Sequence, residues 1–186
     1  MSGCITIFPI GLVERDILDR IAACIEGRCG LVCKVSSPME NPRYAFDEKR
    51  GQYNSTLILK RLARSCPDNS LRVMGVTCVD LFVPILKYVF GLAEIDGKGS
   101  VISAHRLYPE FYDLPSDPDL FMDRVEKTAM HELGHSFGLT HCRNRRCVMY
   151  SSTQIEHTDF KNADYCPTCS ELFRWRLEKS WTGPQP

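Results

Sequence analysis

The sequence predicts an α/β fold (α+β-like) in which helices pack on a twisted, mixed five-stranded sheet and a small C-terminal lobe follows. Three observations predict it: five short apolar runs rich in β-branched residues, helical spacing of apolar residues between them, and a strand–helix–strand order at the start of the chain. A chain of 186 residues has the length of one domain. We therefore expect one domain over residues 1–186, with an N-terminal subdomain 1–138 and a C-terminal subdomain 139–186.

The predicted elements follow from local patterns. The run CITIFPI predicts a buried first strand, and apolar residues at helical spacing from Val13 to Ile25 predict a helix that Gly27 and Gly30 end. Leu172, Phe173, Arg176 and Leu177 are the expected packing face of the last helix. The predicted strands are 4–10, 31–36, 71–79, 88–95 and 100–107, and the predicted helices are 13–26, 55–64, 120–137 and one within 162–181.

A turn composition joins the last two strands, Asp96-Gly97-Lys98-Gly99. This hairpin places an antiparallel strand beside an otherwise parallel sheet. Such an edge strand has unpaired backbone groups, which an extended peptide can use by strand addition.

Composition excludes several classes of partner. Lys plus Arg and Asp plus Glu both number 23, so no basic excess favours nucleic acid or an anionic membrane. No apolar run approaches the length needed to span a bilayer. The N-terminus lacks the basic segment and the small-residue cleavage site of a signal peptide, so we expect a cytoplasmic protein. We also expect a monomer. In a reducing compartment, ten cysteines favour metal sites or buried thiols over disulfides.

Three histidines in the stretch 131–141 predict a metal site. His131 and His135 are four residues apart on a predicted helix, so both imidazoles point the same way. Gly138 can adopt a left-handed conformation, and the resulting turn brings His141 back to the same metal. Three neutral imidazoles leave a coordination position open for water, which is typical of a catalytic zinc site. The competing interpretation is an amphipathic helix with incidental histidines.

Glu132 is the predicted catalytic residue. It lies about 100° round the helix from His131, where it can hydrogen-bond the zinc-bound water without ligating the metal. We expect its carboxylate to act as a general base toward that water and then as a general acid toward a leaving amine.

The pattern His131-Glu132-x-x-His135-x-x-Gly138-x-x-His141 resembles the metzincin signature, with Met149 as the candidate Met-turn. The succession Cys142-x4-Cys147, Met149 and Cys166-x2-Cys169 resembles the archaemetzincins, as do segments 51–55, 76–82 and 90–93. The resemblance covers nearly the whole chain. It implies a metzincin-type fold and a single catalytic domain. It also implies a zinc-dependent metallopeptidase that hydrolyses peptide or protein substrates, with Met149 packed beneath the histidines.

Four cysteines predict a second metal site. Cys142, Cys147, Cys166 and Cys169 suit a closed tetrahedral zinc site that holds the C-terminal lobe, which makes two Zn²⁺ per chain, one catalytic and one structural. Two disulfides or an iron centre on the same ligands are the alternatives. Because Cys142 directly follows His141, loss of the structural ion should disturb the catalytic one.

Alternatives of function also remain. One is a peptide- or partner-binding protein with low turnover and an occluded zinc site, and another is a zinc hydrolase of non-peptide amides. The basic run 143–146 is expected to be a solvated loop that could bias the cleft toward acidic or C-terminal carboxylate groups. His105 is expected to be a surface or hydrogen-bonded histidine and not a ligand. His157, in a loop, is expected to be exposed, with a position along the cleft as the alternative. The remaining cysteines are expected to be buried thiols: Cys4, Cys24, Cys29, Cys33, Cys66 and Cys78.

Overall fold

A five-stranded sheet forms the centre of the structure, a computed structural model that describes residues 3–181. The strands are β1 (Cys4–Ile10), β2 (Cys33–Val35), β3 (Phe46–Asp47), β4 (Gln52–Asn54), β5 (Ser70–Thr77), β6 (Leu81–Phe82), β7 (Gly91–Ala93) and β8 (Gly99–Ser103). The helices are α1 (Arg15–Cys29), α2 (Ser55–Arg64), α3 (Pro118–Ser136), α4 (Ile155–Phe160) and α5 (Pro167–Trp181).

The strand order of the central sheet is β2-β1-β5-β8-β7. The first four strands run parallel, and β7 pairs antiparallel with β8 at the edge. The predicted mixed five-stranded sheet with one antiparallel edge strand is confirmed. Because β7 is the last strand of the order, one of its backbone edges has no strand partner within residues 3–181.

Helices cover both faces of this sheet. Alternate residues of a strand point to opposite faces, so Ile5 and Ile7 of β1 join the core with α1 and α3, whereas Phe8 and Ile10 face α2. The largest apolar cluster also includes Met149, so the segment after α3 shares the core of the sheet and the helices.

Several local expectations are wrong. Gly27 does not end the first helix, which continues to Cys29 and is capped by Gly30. Residues 37–51, for which no strand or helix was predicted, contain β3, which pairs with β4 in a second small sheet whose order is β3-β4-β6. His157 lies in α4 and not in a loop. Leu172 is exposed on α5, whereas Phe173 is buried. β3 and α4 are too short to show a periodicity in the sequence, and they exist because other segments of the chain pair or pack with them.

Helix α3 is anchored along its length. The Asp117 carboxylate accepts a hydrogen bond from Leu120 N–H and caps its start. In its middle, the buried Arg124 guanidinium donates to both carboxylate oxygens of Asp159 in α4, at 2.7 and 2.8 Å. At its end, the Asp96 N–H of the β7–β8 turn donates to the His135 carbonyl. None of the described helices has the length and apolar character needed to cross a membrane.

Candidate metal centres and cleft

The three predicted histidines meet at one point. His131 and His135 lie on consecutive turns of α3 with their Nε2 atoms 3.1 Å apart. One nitrogen from each of His131, His135 and His141 lies within 4.8 Å of the others. Two ligands of a tetrahedral zinc with bonds of about 2.0–2.1 Å are separated by about 3.3 Å. The donor set therefore fits a zinc ion, with His131 and His135 buried and His141 exposed.

Gly138 makes this convergence possible. Its φ is +86°, in the left-handed region that residues with a side chain rarely adopt. The Gly138 N–H donates to the His135 carbonyl and the Leu139 N–H to the Gly134 carbonyl, a Schellman motif that ends α3. The chain reverses there and returns His141 toward the helix.

The second ring nitrogens set the orientation of two ligands. Nδ1–H of His131 donates to the Val148 carbonyl and Nδ1–H of His135 to the Leu139 carbonyl, each at 2.7 Å. In this tautomer, Nε2 of each ring presents its lone pair to the shared centre. Burial lowers the pKa of all three histidines, which favours the neutral form that a metal requires.

Glu132 lies between α3 and the edge strand. Its side chain is 7% exposed and packs on Gly91, where an added Cβ would lie 2.6 Å from Glu132 Cγ. Burial raises the pKa of this carboxyl to about 8, and the nearby Lys161 ammonium opposes that shift. The Glu132 side chain thus packs against edge strand β7 and lines the same cleft as the three histidines.

The four predicted cysteines also meet. One sulfur from each of Cys142, Cys147, Cys166 and Cys169 lies within 4.8 Å of the others. Cys142 Sγ and Cys166 Sγ are 3.8 Å apart, close to the separation of about 3.8 Å between thiolates on a tetrahedral zinc with bonds of about 2.3 Å. A disulfide would need about 2.05 Å, and all ten cysteines are free thiols. The cluster fits a metal and not a pair of disulfides.

Backbone groups also support the sulfur cluster. The Asn144 N–H donates to Cys142 Sγ and the Cys166 N–H to Cys147 Sγ. Such donors favour the thiolate form that metals bind. The two clusters are linked through the backbone, since Cys142 follows His141 and its N–H donates to the carbonyl of the buried Met149.

A cleft of about 800 Å³ lies over the histidine cluster. One wall comes from the segment around β7, and the other comes from residues 151–154 with Thr158 and Lys161. Tyr88 Oη donates to the Thr153 carbonyl at 3.2 Å and joins the two walls. Residues of α3, including Glu132, form the floor.

Sequence reasoning missed Lys161. Its side chain is only 2% exposed and lines the cleft, and burial lowers the pKa of its ammonium to about 8 while Glu132 opposes the shift. No sequence signal distinguishes this lysine from an exposed one, because its burial depends on the packing of α4 against α3.

Other candidate residues lie elsewhere. Arg145 and Arg146 pack on the Phe160 ring and are not among the residues that line the cleft. His105 packs edge-on against Phe111, and neither it nor His157 belongs to a metal cluster of the described chain. Residues 143–146 therefore form no part of the cleft wall, and an influence of their charge on the cleft stays a prediction.

Comparison with known proteins gives a consistent result. A model of peptidase family M54 matches residues 12–175. The chain is 44% identical over 168 residues to an archaemetzincin of Methanocaldococcus jannaschii, covering 89% of each chain, and 41% identical over 187 residues to one of Pyrococcus furiosus, covering 97% of each.

Solved structures similar to this chain also belong to archaemetzincins. An archaemetzincin of Methanopyrus kandleri superposes with a TM-score of 0.83 at 35% identity, covering 95% of this chain and 97% of that one. An archaemetzincin of Archaeoglobus fulgidus in complex with malonate gives a TM-score of 0.78 at 32% identity, covering 90% of this chain and 98% of that one.

Proposed function

Because the chain belongs to peptidase family M54, together with the archaemetzincins, and is a zinc metallopeptidase, we propose that Glu132 performs proton transfer during peptide-bond hydrolysis. The observation that carries this assignment is that the Glu132 side chain packs on Gly91 of the edge strand and lines the same cleft as the three convergent imidazoles. We also propose that residues 1–186 form a single catalytic domain, with subdomains 1–138 and 139–186.

The proposed metal ligands follow from the two clusters. His131, His135 and His141 would hold a catalytic zinc, and the four cysteines would hold a structural one, which makes two Zn²⁺ per chain. When bound to the histidines, zinc supplies a Lewis acid and lowers the pKa of a water to about 7. The thiolate set is closed and would stabilise the C-terminal segment instead.

The free edge of β7 would bind the substrate backbone. The Phe90 carbonyl and the Glu94 N–H bond to residues of the neighbouring β8 hairpin arm. Because bonding directions alternate along an antiparallel strand, the N–H and C=O groups of Gly91 and Ala93 face the cleft. An extended peptide pairing there antiparallel would place its carbonyl above Glu132.

Proton transfer would then depend on Glu132. Its carboxylate accepts a proton from the attacking water and later donates it to the leaving amine nitrogen. Gly91 has no side chain, so the substrate backbone can approach the carboxyl closely. The burial that raises its pKa also makes the carboxylate a stronger base.

Glu132→Gln tests the assignment. We expect zinc-loaded wild type to cleave peptides and the variant to lose at least about 10³-fold in kcat while its zinc content stays unchanged. Glu156→Gln, on the exposed side of α4, is the matched control and should retain activity. Full-rate cleavage by Glu132→Gln would refute the mechanism, and peptide binding without cleavage by zinc-loaded wild type would favour a binding protein.

A further inference from the structure

Lys161 is a buried cation in the wall of the cleft, and it forms no salt bridge within the described residues. Among residues 3–181, no Asp or Glu lies within salt-bridge distance of its Nζ. Burying an unpaired ammonium is costly, so most buried lysines have an anionic partner. Glu132 lies close enough to favour the charge of Lys161, but no carboxylate in the described chain contacts the ammonium directly.

The hydrogen bonds of Lys161 leave donors unused. An ammonium has three N–H donors, and Nζ donates one to the Tyr150 carbonyl at 3.1 Å. His131 Nδ1 is 3.3 Å away, but its proton already points to the Val148 carbonyl, so it has no lone pair to accept another bond. Up to two donors remain on a side chain that lines the cleft.

The packing of β7 on α3 shows which part of a substrate passes this lysine. The start of β7 contacts α3 at Glu132, and the turn that follows β7 contacts it at His135, so the two elements run in the same direction. A peptide paired antiparallel to β7 runs the opposite way, and its C-terminal part points toward the start of α3.

Lys161 lies at that end of the cleft. It follows α4, which packs on the first half of α3 through the Arg124–Asp159 pair, and it lines the cleft together with Thr128 and Thr158. The Tyr88–Thr153 hydrogen bond joins the two walls of the cleft.

We propose that Lys161 is a specificity-determining residue that binds a carboxylate on the substrate residue immediately after the scissile bond. The inference rests on the proposed peptidase function. The carboxylate can come from an acidic side chain or from the α-carboxylate of a C-terminal residue, and both present the same oxygens to the ammonium. A charge-assisted hydrogen bond in this buried position favours such substrates over neutral ones.

Matched peptides test the proposal on the zinc-loaded protein. Each pair differs in one group after the scissile bond: Asp or Glu against Asn or Gln, and a free C-terminus against an amide. We expect wild type to prefer at least one kind of acid by about ten- to hundredfold in kcat/KM, mostly through KM. The pair that shows the preference identifies the source of the carboxylate.

Variants locate the preference. Lys161→Met should reduce the acid-to-neutral ratio to near one, and Lys161→Arg should restore part of it. Lys87→Met removes an exposed lysine that also lines the cleft and should keep the wild-type ratio. Each ratio is measured within one variant, so a general loss of activity or zinc does not alter it. Equal kcat/KM for acid and neutral peptides, or an unchanged ratio in Lys161→Met, would overturn the proposal.

A binding experiment tests the role of Lys161 independently of peptide cleavage. Calorimetric titration of the same peptides into zinc-loaded Glu132→Gln should show the same acid preference without turnover, and Glu132→Gln/Lys161→Met should lack it. If wild type cleaves no peptide, the proposed function fails, and this binding preference still decides the role of Lys161. Equal affinities for acid and neutral peptides would refute it.

Discussion

Met149 Sδ lies where a side chain on Gly134 would begin: a Cβ added at residue 134 would be 2.4 Å from that sulfur. Gly134 is on the same helical turn as His135, and Met149 is fully buried beneath it. The methionine therefore contacts the backbone of α3 directly, under the turn that presents the ligands. The close packing of Met149 explains why residue 134, within the histidine motif, is a glycine. In this role the methionine packs against the helix and does not bind the metal.

Gly134→Ala is expected to destabilise the protein and weaken the histidine site. The added methyl group must displace Met149 from a closely packed core, which costs about 1–3 kcal/mol in the free energy of unfolding. Urea denaturation measures that cost, and competition with a chromophoric chelator measures zinc affinity.

Gly27→Ala is the matched control for this helix substitution. Nothing lies within 4 Å of the position where its Cβ would be, so alanine should stabilise α1 by up to about 1 kcal/mol. Equal stability of Gly134→Ala and wild type would show that Met149 does not support α3 in this way.

Cys169→Ser is expected to weaken both metal sites. Serine removes one of four sulfur ligands, and the loop that joins Cys142 to Cys147 also carries the connection to His141. We expect bound zinc measured by mass spectrometry to fall from about two per chain to well below one, with a lower melting temperature. Cys66→Ser, far from both clusters in sequence and outside the sulfur group, should keep both ions. A Cys169→Ser protein with normal fold and full occupancy of the histidine site would disprove the coupling.

Asp159→Ala is expected to destabilise the wall of the cleft. It leaves the guanidinium of Arg124, 1% exposed, without its carboxylate partner. Breaking a buried pair in this way costs about 3–5 kcal/mol, and the lower end applies because Asp159 is 33% exposed. Thermal or urea unfolding gives the value.

The exposed Arg15–Asp19 pair of α1 supplies the comparison for Asp159→Ala. Asp19→Ala should cost at most about 0.5 kcal/mol, since water screens that pair. Similar decreases in the free energy of unfolding of the two variants would mean that the burial of Arg124 does not make its ion pair more important for stability.

Mild chelation is expected to remove one metal ion before the other. The histidine centre includes an exposed ligand, His141, and opens into the cleft, whereas four thiolates enclose the sulfur centre. A chelator such as dipicolinate should therefore abolish cleavage while about one zinc per chain remains and the far-UV circular dichroism is unchanged. Addition of zinc should restore activity. Loss of both ions in parallel would contradict the assignment of an open and a closed site.

Local spacing in the sequence is enough to predict the two candidate metal centres. His131 and His135 share a helical face through the period of the α-helix, and Gly138 supplies a turn that requires a left-handed residue. The central strands and α2 could be predicted for the same reason, because apolar runs and helical spacing of apolar residues are local patterns that indicate strands and helices.

The surroundings of those centres depend on contacts between segments that are far apart in the sequence. Glu132 packs against Gly91 across 41 positions, Arg124 pairs with Asp159 across 35, and Lys161 becomes a buried cation only because α4 packs on α3. Contacts between such distant segments leave no period in the sequence, and the burial of a charge depends on what the rest of the chain places around it. The metal ligands can therefore be recognised from short sequence motifs, whereas the shape and charge of the cleft arise only when the chain has folded.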